Sequence, residues 1–256
     1  MTFKVFIISV FYLLTANSTA LAQFTEYSDL LVYYVDEEYE KCLKKADKYM
    51  SKDESKYDPL PYLYTSMTYY EMSRDNKYAE DYPKAYRNCL SYLTKYRRKD
   101  KTYAYKSDAE PFIEKIKLVI AEEIENYKLD GTEKADKKIT GLLKKLVRID
   151  PDDAGIELLL GVYYSKTKNR SESKKYLASG KERVIQIGDS IPFGELTKSQ
   201  QLFFKESLIS YYLLKKERFP EAAEKILLLG EEFFVKERED SQLENIDDYK
   251  KVLETI

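Results

Sequence analysis

The segment ITGLLKKLVRIDPDDAGIELLLGVYYSKTKNRSESKKYL, residues 139–177, decides the fold. Ile139, Leu143 and Leu146 are spaced by four and three, which puts them on one face of a helix. Pro151 comes five residues after Leu146, too late to break that helix, and a second helix starts beyond it. Leu160, Gly161 and Tyr164 then give a large, a small and a large position, and Ser173, Leu177 and Gly180 a small, a large and a small one. Gly161 and Ser173 lack the bulk to hold two backbones apart, while Leu160, Tyr164 and Leu177 fill the volume around such a contact.

The L-G-x-x-Y string at 160–164, followed by Ser173, Leu177 and Gly180, resembles the tetratricopeptide repeat (TPR), a pair of antiparallel helices that stacks on its neighbours. Glu157 stands where that motif usually has an aromatic residue. The pattern recurs at Tyr39, Cys42, Ala46 and Tyr49, at Tyr82, Ala85, Cys89 and Tyr92, and at Phe219, Ala222, Ile226 and Leu229. The resemblance covers most of the chain after residue 25. It implies an all-α, right-handed α-solenoid of about five TPR-like helix pairs plus a C-terminal capping helix at 242–254. A long first helix in the third pair and an insertion around residues 73–81 predict an irregular array. The alternative is an all-α bundle of ordinary amphipathic helices.

Ahead of the repeats, residues 1–22 read as a cleaved signal peptide. Lys4 supplies positive charge, residues 5–14 are almost wholly apolar, and Ala20-Leu21-Ala22 has the small-x-small form that signal peptidase accepts. An apolar run of that length is too short for about 30 Å of hydrocarbon, so no transmembrane segment is expected in the mature chain, residues 23–256. The expected location is the periplasm, the cell surface or the medium of a bacterium. Export would permit a Cys42–Cys89 disulfide, whereas the same cysteines also suit positions that want a small apolar residue, and both readings stay open.

Only 8 glycines and 7 prolines punctuate the 256 residues, which favours helices joined by short loops. Asp58-Pro59 and Asp108 with Pro111 suit helix starts, Asp130-Gly131 a stop and restart, and Thr197 with Gln200 and Ser241 with Glu244 read as capping boxes. Residues 188–196 read as the longest loop.

Chemistry is constrained by what is missing. There is no histidine, so Ser-His-Asp and Cys-His arrangements are excluded, and no glycine-rich phosphate loop occurs. The paired acids Asp152-Asp153 and Glu231-Glu232 are expected in a chain that is 34% charged, so no enzyme, metal or cofactor is expected. The net charge is −2, with a basic, tyrosine-containing run at 95–106 and an acidic run at 217–248, and no nucleic acid is expected in an exported protein.

The 25 tyrosines offer amphipathic contact area at low rotamer entropy. In TPR proteins the first-helix face lines an inner groove, so the resemblance assigns a partner-binding groove to Tyr27, Leu31, Tyr34, Leu63, Met67, Tyr70, Leu158, Val162 and Tyr211. The function expected is an exported, non-catalytic scaffold or adaptor that holds a protein or peptide partner in that groove. The alternative is a glycan-binding protein of a surface nutrient-uptake system.

Overall fold

The computed structural model describes residues 27–191 and 193–215. The leader at 1–22, the repeat copy at 219–229, the acidic run at 217–248, the capping box at Ser241 and the capping helix at 242–254 lie outside the described residues. Within the described residues the chain is all-helical, with nine α-helices and no strand. These are α1 Ser28–Val35, α2 Tyr39–Ser51, α3 Pro59–Arg74, α4 Ala85–Lys99, α5 Lys106–Asp130, α6 Glu133–Ile149, α7 Ala154–Lys166, α8 Arg170–Ser190 and α9 Lys198–Lys215, with 3-10 turns at Asn76–Tyr78 and Phe193–Glu195. They fall into two compact units that divide between Tyr105 and Lys106.

In the first unit each helix packs on the next, and α1 also packs on α3. Pro59 occupies the first turn of α3, where its missing N–H has no intrahelical partner to lose. Asp58 precedes it at the N-cap, but its carboxylate accepts a hydrogen bond from the Tyr27 hydroxyl rather than from the helix backbone. Cys42 and Ala46 of α2 are fully buried beneath Leu30. Cys42 and Cys89 are both free. The Thr68 hydroxyl donates to the Cys42 sulfur at 3.3 Å and the Ser66 hydroxyl to the Cys89 carbonyl at 2.8 Å, so each cysteine serves as a small residue facing α3. Burial raises the Cys42 thiol pKa and keeps it protonated.

In the second unit α7 is apolar almost all round, because it packs against α6, α8 and α9 together. Glycines of α7 and α8 set the spacing. A Cβ on Gly161 would lie 2.7 Å from the Leu177 backbone nitrogen, and one on Gly180 would lie 2.6 Å from the Leu158 backbone. These two contacts pair α7 and α8 in antiparallel register, and the Ser173 hydroxyl donates to the Gly161 carbonyl at 2.9 Å. A third glycine, Gly155, brings α9 equally close, since a Cβ there would lie 2.5 Å from the Phe204 nitrogen. Glu157 binds Arg183 at 2.7 Å and accepts from the Ser179 hydroxyl at 2.6 Å, a polar link between α7 and α8.

Several boundaries follow the caps and two do not. Asp130 ends α5, Gly131 takes φ 62°, and the Thr132 hydroxyl accepts from the Ala135 N–H to start α6. Thr197 and Gln200 form a reciprocal capping box at 3.0 and 3.3 Å. Helix α5 starts at Lys106, ahead of Asp108, and carries Pro111 inside its second turn, where one lost backbone bond is minor in a helix of 25 residues. Helix α8 continues to Ser190, beyond the loop expected from Gly188.

Gly161→Ala is expected to lower the unfolding free energy by about 1–3 kcal/mol, because the added carbon meets backbone rather than a side chain that can turn away. Gly141→Ala is the opposite case, with nothing within 4 Å of its Cβ, and is expected to add about 0.5–1 kcal/mol from helix propensity. Urea unfolding followed by circular dichroism distinguishes them, and equal effects would show that the α7–α8 spacing is slack.

Candidate interaction surface

The nine residues assigned to a groove separate into two groups. Tyr27, Leu63, Tyr70, Leu158, Val162 and Tyr211 are all buried, at 6% exposure or less, so these six pack the fold and offer no open surface. Leu158, Val162 and Tyr211 do meet, but inside one cluster with Val184, Phe204 and Leu208. The reason is enclosure: α3 carries helices against it on several sides, as does α7, so faces that an open array would leave free are covered. Tyr34 and Met67 are half-buried, and Leu31 is exposed.

What the fold assembles instead is a strip of tyrosines in the first unit. Starting from Tyr64, ring centroids follow at 6.4 Å to Tyr34, 6.2 Å to Tyr39 and 5.9 Å to Tyr78. The strip continues 6.1 Å to Tyr82, 6.4 Å to Tyr69, 5.8 Å to Tyr92 and 6.3 Å to Tyr62. All eight rings are half-buried. Such rings are anchored at the base by packing and present part of a face or an edge to solvent, which preorganises aromatic contact area. The members come from α1, α2, α3, α4 and the 76–82 connection, so no single periodicity in sequence announces them. Only Tyr34 was among the residues assigned from the sequence. The one available signal was the density of tyrosine at both ends of the α3–α4 connection.

Charges of both signs adjoin the strip. Lys95 lies 4.1 Å above the Tyr92 ring and Lys99 4.6 Å above Tyr62, each a cation–π contact. Lys99 also donates to the Lys56 carbonyl at 2.7 Å, and Arg97 stacks 4.5 Å from Tyr103, so Lys95, Arg97 and Lys99 of the basic run are folded onto the unit's own rings. Asp100 accepts from the Tyr96 hydroxyl and the Ala104 N–H, both at 2.8 Å. Lys77 lies 4.7 Å above Tyr78, while carboxylates adjoin other rings of the strip: the Tyr34 and Tyr82 hydroxyls each lie 3.5 Å from an acid, Glu71 and Glu40 respectively. Burial first, and these charges second, raise the phenol pKa of Tyr34 and Tyr82, and burial likewise raises Tyr62, Tyr69 and Tyr92.

One buried ionic cluster stands out in the second unit. Lys117 of α5, 2% exposed, lies 2.6 Å from Asp150 and 2.8 Å from Asp153. Burial disfavours its charge, but the two carboxylates override that and hold the ammonium above its ordinary pKa. Burial pushes Asp153 up, against the pull of Lys117, and the neighbouring Asp150 adds to the rise. Asp153 also caps α7 by accepting from the Ile156 N–H at 3.1 Å, so the cluster ties α5 to the start of α7 and reads as structural. Among the described residues no group of three or more histidine, cysteine or acidic side chains is placed to hold a metal ion, and no helix is long and apolar enough to cross a membrane. No family model, no curated protein and no solved structure matches the chain.

Lys117→Met is expected to cost about 3–5 kcal/mol of stability, because it leaves two carboxylates buried together, and adding Asp153→Asn should recover part of that loss in chemical denaturation. The tyrosines give a pH dependence. Their folded pKa values lie above the ordinary 10.0, so the native state binds more protons than the unfolded chain at alkaline pH. Stability is therefore fully present below pH 10 and falls as pH rises through the elevated values. Tyrosinate absorbance at 295 nm, recorded with circular dichroism, should show late ionisation that coincides with loss of helix.

Proposed function

We propose that the chain is an exported, non-catalytic TPR-like scaffold or adaptor that binds a protein or peptide partner in an envelope-associated assembly of a bacterium. The observation that carries this is the strip of eight half-buried tyrosines in the first unit, with its base fixed by packing and charges of both signs beside it. Rigid amphipathic rings supply contact area at little cost in rotamer entropy, which is how recognition surfaces of proteins are commonly built. Tyr34, which belongs both to the strip and to the groove assigned by the repeat resemblance, links the two. The helix pairs α1–α2, α3–α4, α5–α6 and α7–α8 are taken as TPR-like pairs in a right-handed solenoid, supported by the small residues Gly161 and Ser173 at the α7–α8 contact. The leader at residues 1–22 supports export.

Glycan binding is the second reading. It is favoured by the place of Glu40, 3.5 Å from the Tyr82 hydroxyl, since a carboxylate next to an aromatic face suits sugar hydroxyls.

A photo-crosslinking side chain placed at Tyr78 or Tyr92 in cells is expected to capture the same protein from both positions and none from Lys144, which is exposed on α6. Tyr69→Ala with Tyr82→Ala should cut that capture at least about tenfold with helix content unchanged. Retention of a glycan that needs these tyrosines, with no protein captured, would overturn the adaptor in favour of the second reading.

A further inference from the structure

Helix α1 leaves an apolar stripe uncovered. Leu31, Val32 and Val35 are 43, 53 and 65% exposed, whereas Leu30 on the opposite side is fully buried. Steps of about 100° per residue place the three in one sector about 100° wide, the width of a helix face that ordinarily meets a partner. The stripe runs into an acidic end. Residues 28–40 contain five acids and no base. Lys45 neutralises Asp29 and Lys41 neutralises Glu38, at 2.7 Å each. Asp36, Glu37 and Glu40 are exposed and form no ion pair with another described residue. Asp36 and Glu37 lie at and just beyond the C-terminus of α1, where the helix carbonyls add negative potential, and Glu40 lies in the first turn of α2.

Resting on the adaptor reading, we propose that this face docks a basic amphipathic helix of the partner protein, whose apolar side lies on Leu31, Val32 and Val35 while its lysines or arginines reach Asp36, Glu37 and Glu40. An apolar stripe beside uncompensated charge of one sign selects an occupant with both features. The same acids repel an anionic membrane surface. They would also confront each other across a two-fold contact between copies of this chain.

Fluorescence anisotropy with the purified full chain tests this, using two synthetic helices of about 18 residues, five turns, that share a leucine face and differ in a lysine or a glutamate polar face. The lysine helix is expected to bind at least about tenfold more tightly than the glutamate helix and to weaken as salt rises. Val32→Ser with Val35→Ser should reduce its affinity at least about tenfold, and Asp36→Asn with Glu37→Gln at least about threefold. These side chains are exposed, so the variants are expected to keep their helix content, which circular dichroism checks. Equal binding of the two helices, binding of neither, or indifference to the substitutions overturns the proposal. So does self-association in sedimentation velocity that Val32→Ser with Val35→Ser removes, or stripe-dependent binding to phosphatidylglycerol vesicles. Capture of a protein at Tyr78 and Tyr92 while neither helix binds would sink this partner chemistry and leave the adaptor standing, whereas absence of any captured protein would remove the adaptor itself.

Discussion

Helix α7 can sit at the centre of the second unit only because Gly155, Gly161 and Gly180 let backbones meet where any other residue would hold them apart. That spacing brings α8 and α9 onto α7 at once, and it encloses Leu158, Leu160 and Val162 almost completely. Apolar burial of roughly 1.5–3 kcal/mol per large side chain follows from the enclosure. The glycines themselves contribute no apolar area and weaken the helix by propensity, so their value lies in the contacts they permit for others. Long helix α5 then secures the assembly with polar links. Glu114 accepts from the Ser199 N–H at 2.7 Å at the start of α9, and Lys128 pairs with Glu206 at 2.8 Å.

The first unit is built differently. Small residues again admit close packing, but they are Cys42, Ala46, Ala85 and Cys89, and the volume around them is filled to a large extent by tyrosine. A phenol ring buries a broad apolar body while its hydroxyl keeps a polar partner or water, so the boundary of such a core is itself aromatic. Where a leucine-rich unit would end in an abrupt change from oil to charge, this one ends in a graded layer of half-buried rings flanked by lysines and carboxylates. The candidate surface is thus a consequence of how the core is made.

The close helix contact around Gly161 was legible because small and large residues at helical spacing leave few ways to pack. Leu160, Tyr164, Ser173 and Gly180 each stand at the kind of contact their spacing predicted. The capping box at Thr197 was legible for a similar reason, since orphan backbone groups need a particular side chain within three residues, and the stop at Asp130-Gly131 was legible from its glycine. The start of α5 and the end of α8 were less so, because a proline early in a helix and a glycine late in one are tolerated as well as terminal. The groove was the weakest inference. Tyr70 and Tyr211 have side chains suited to either a surface or a core, and sequence spacing does not say how many helices surround them.

By itself the sequence determined the helices, many of their ends, the close contact through Gly161 and the absence of histidine chemistry, all of which depend on residues near one another along the chain. The tertiary structure decided the division into two units, the burial of six of the nine residues assigned to a groove, and the joining of eight tyrosines from four helices and a connection into one strip. The physical reason is range. Backbone hydrogen bonding and side-chain periodicity act within a turn or two, whereas whether a ring is core or surface depends on which distant helices pack over it.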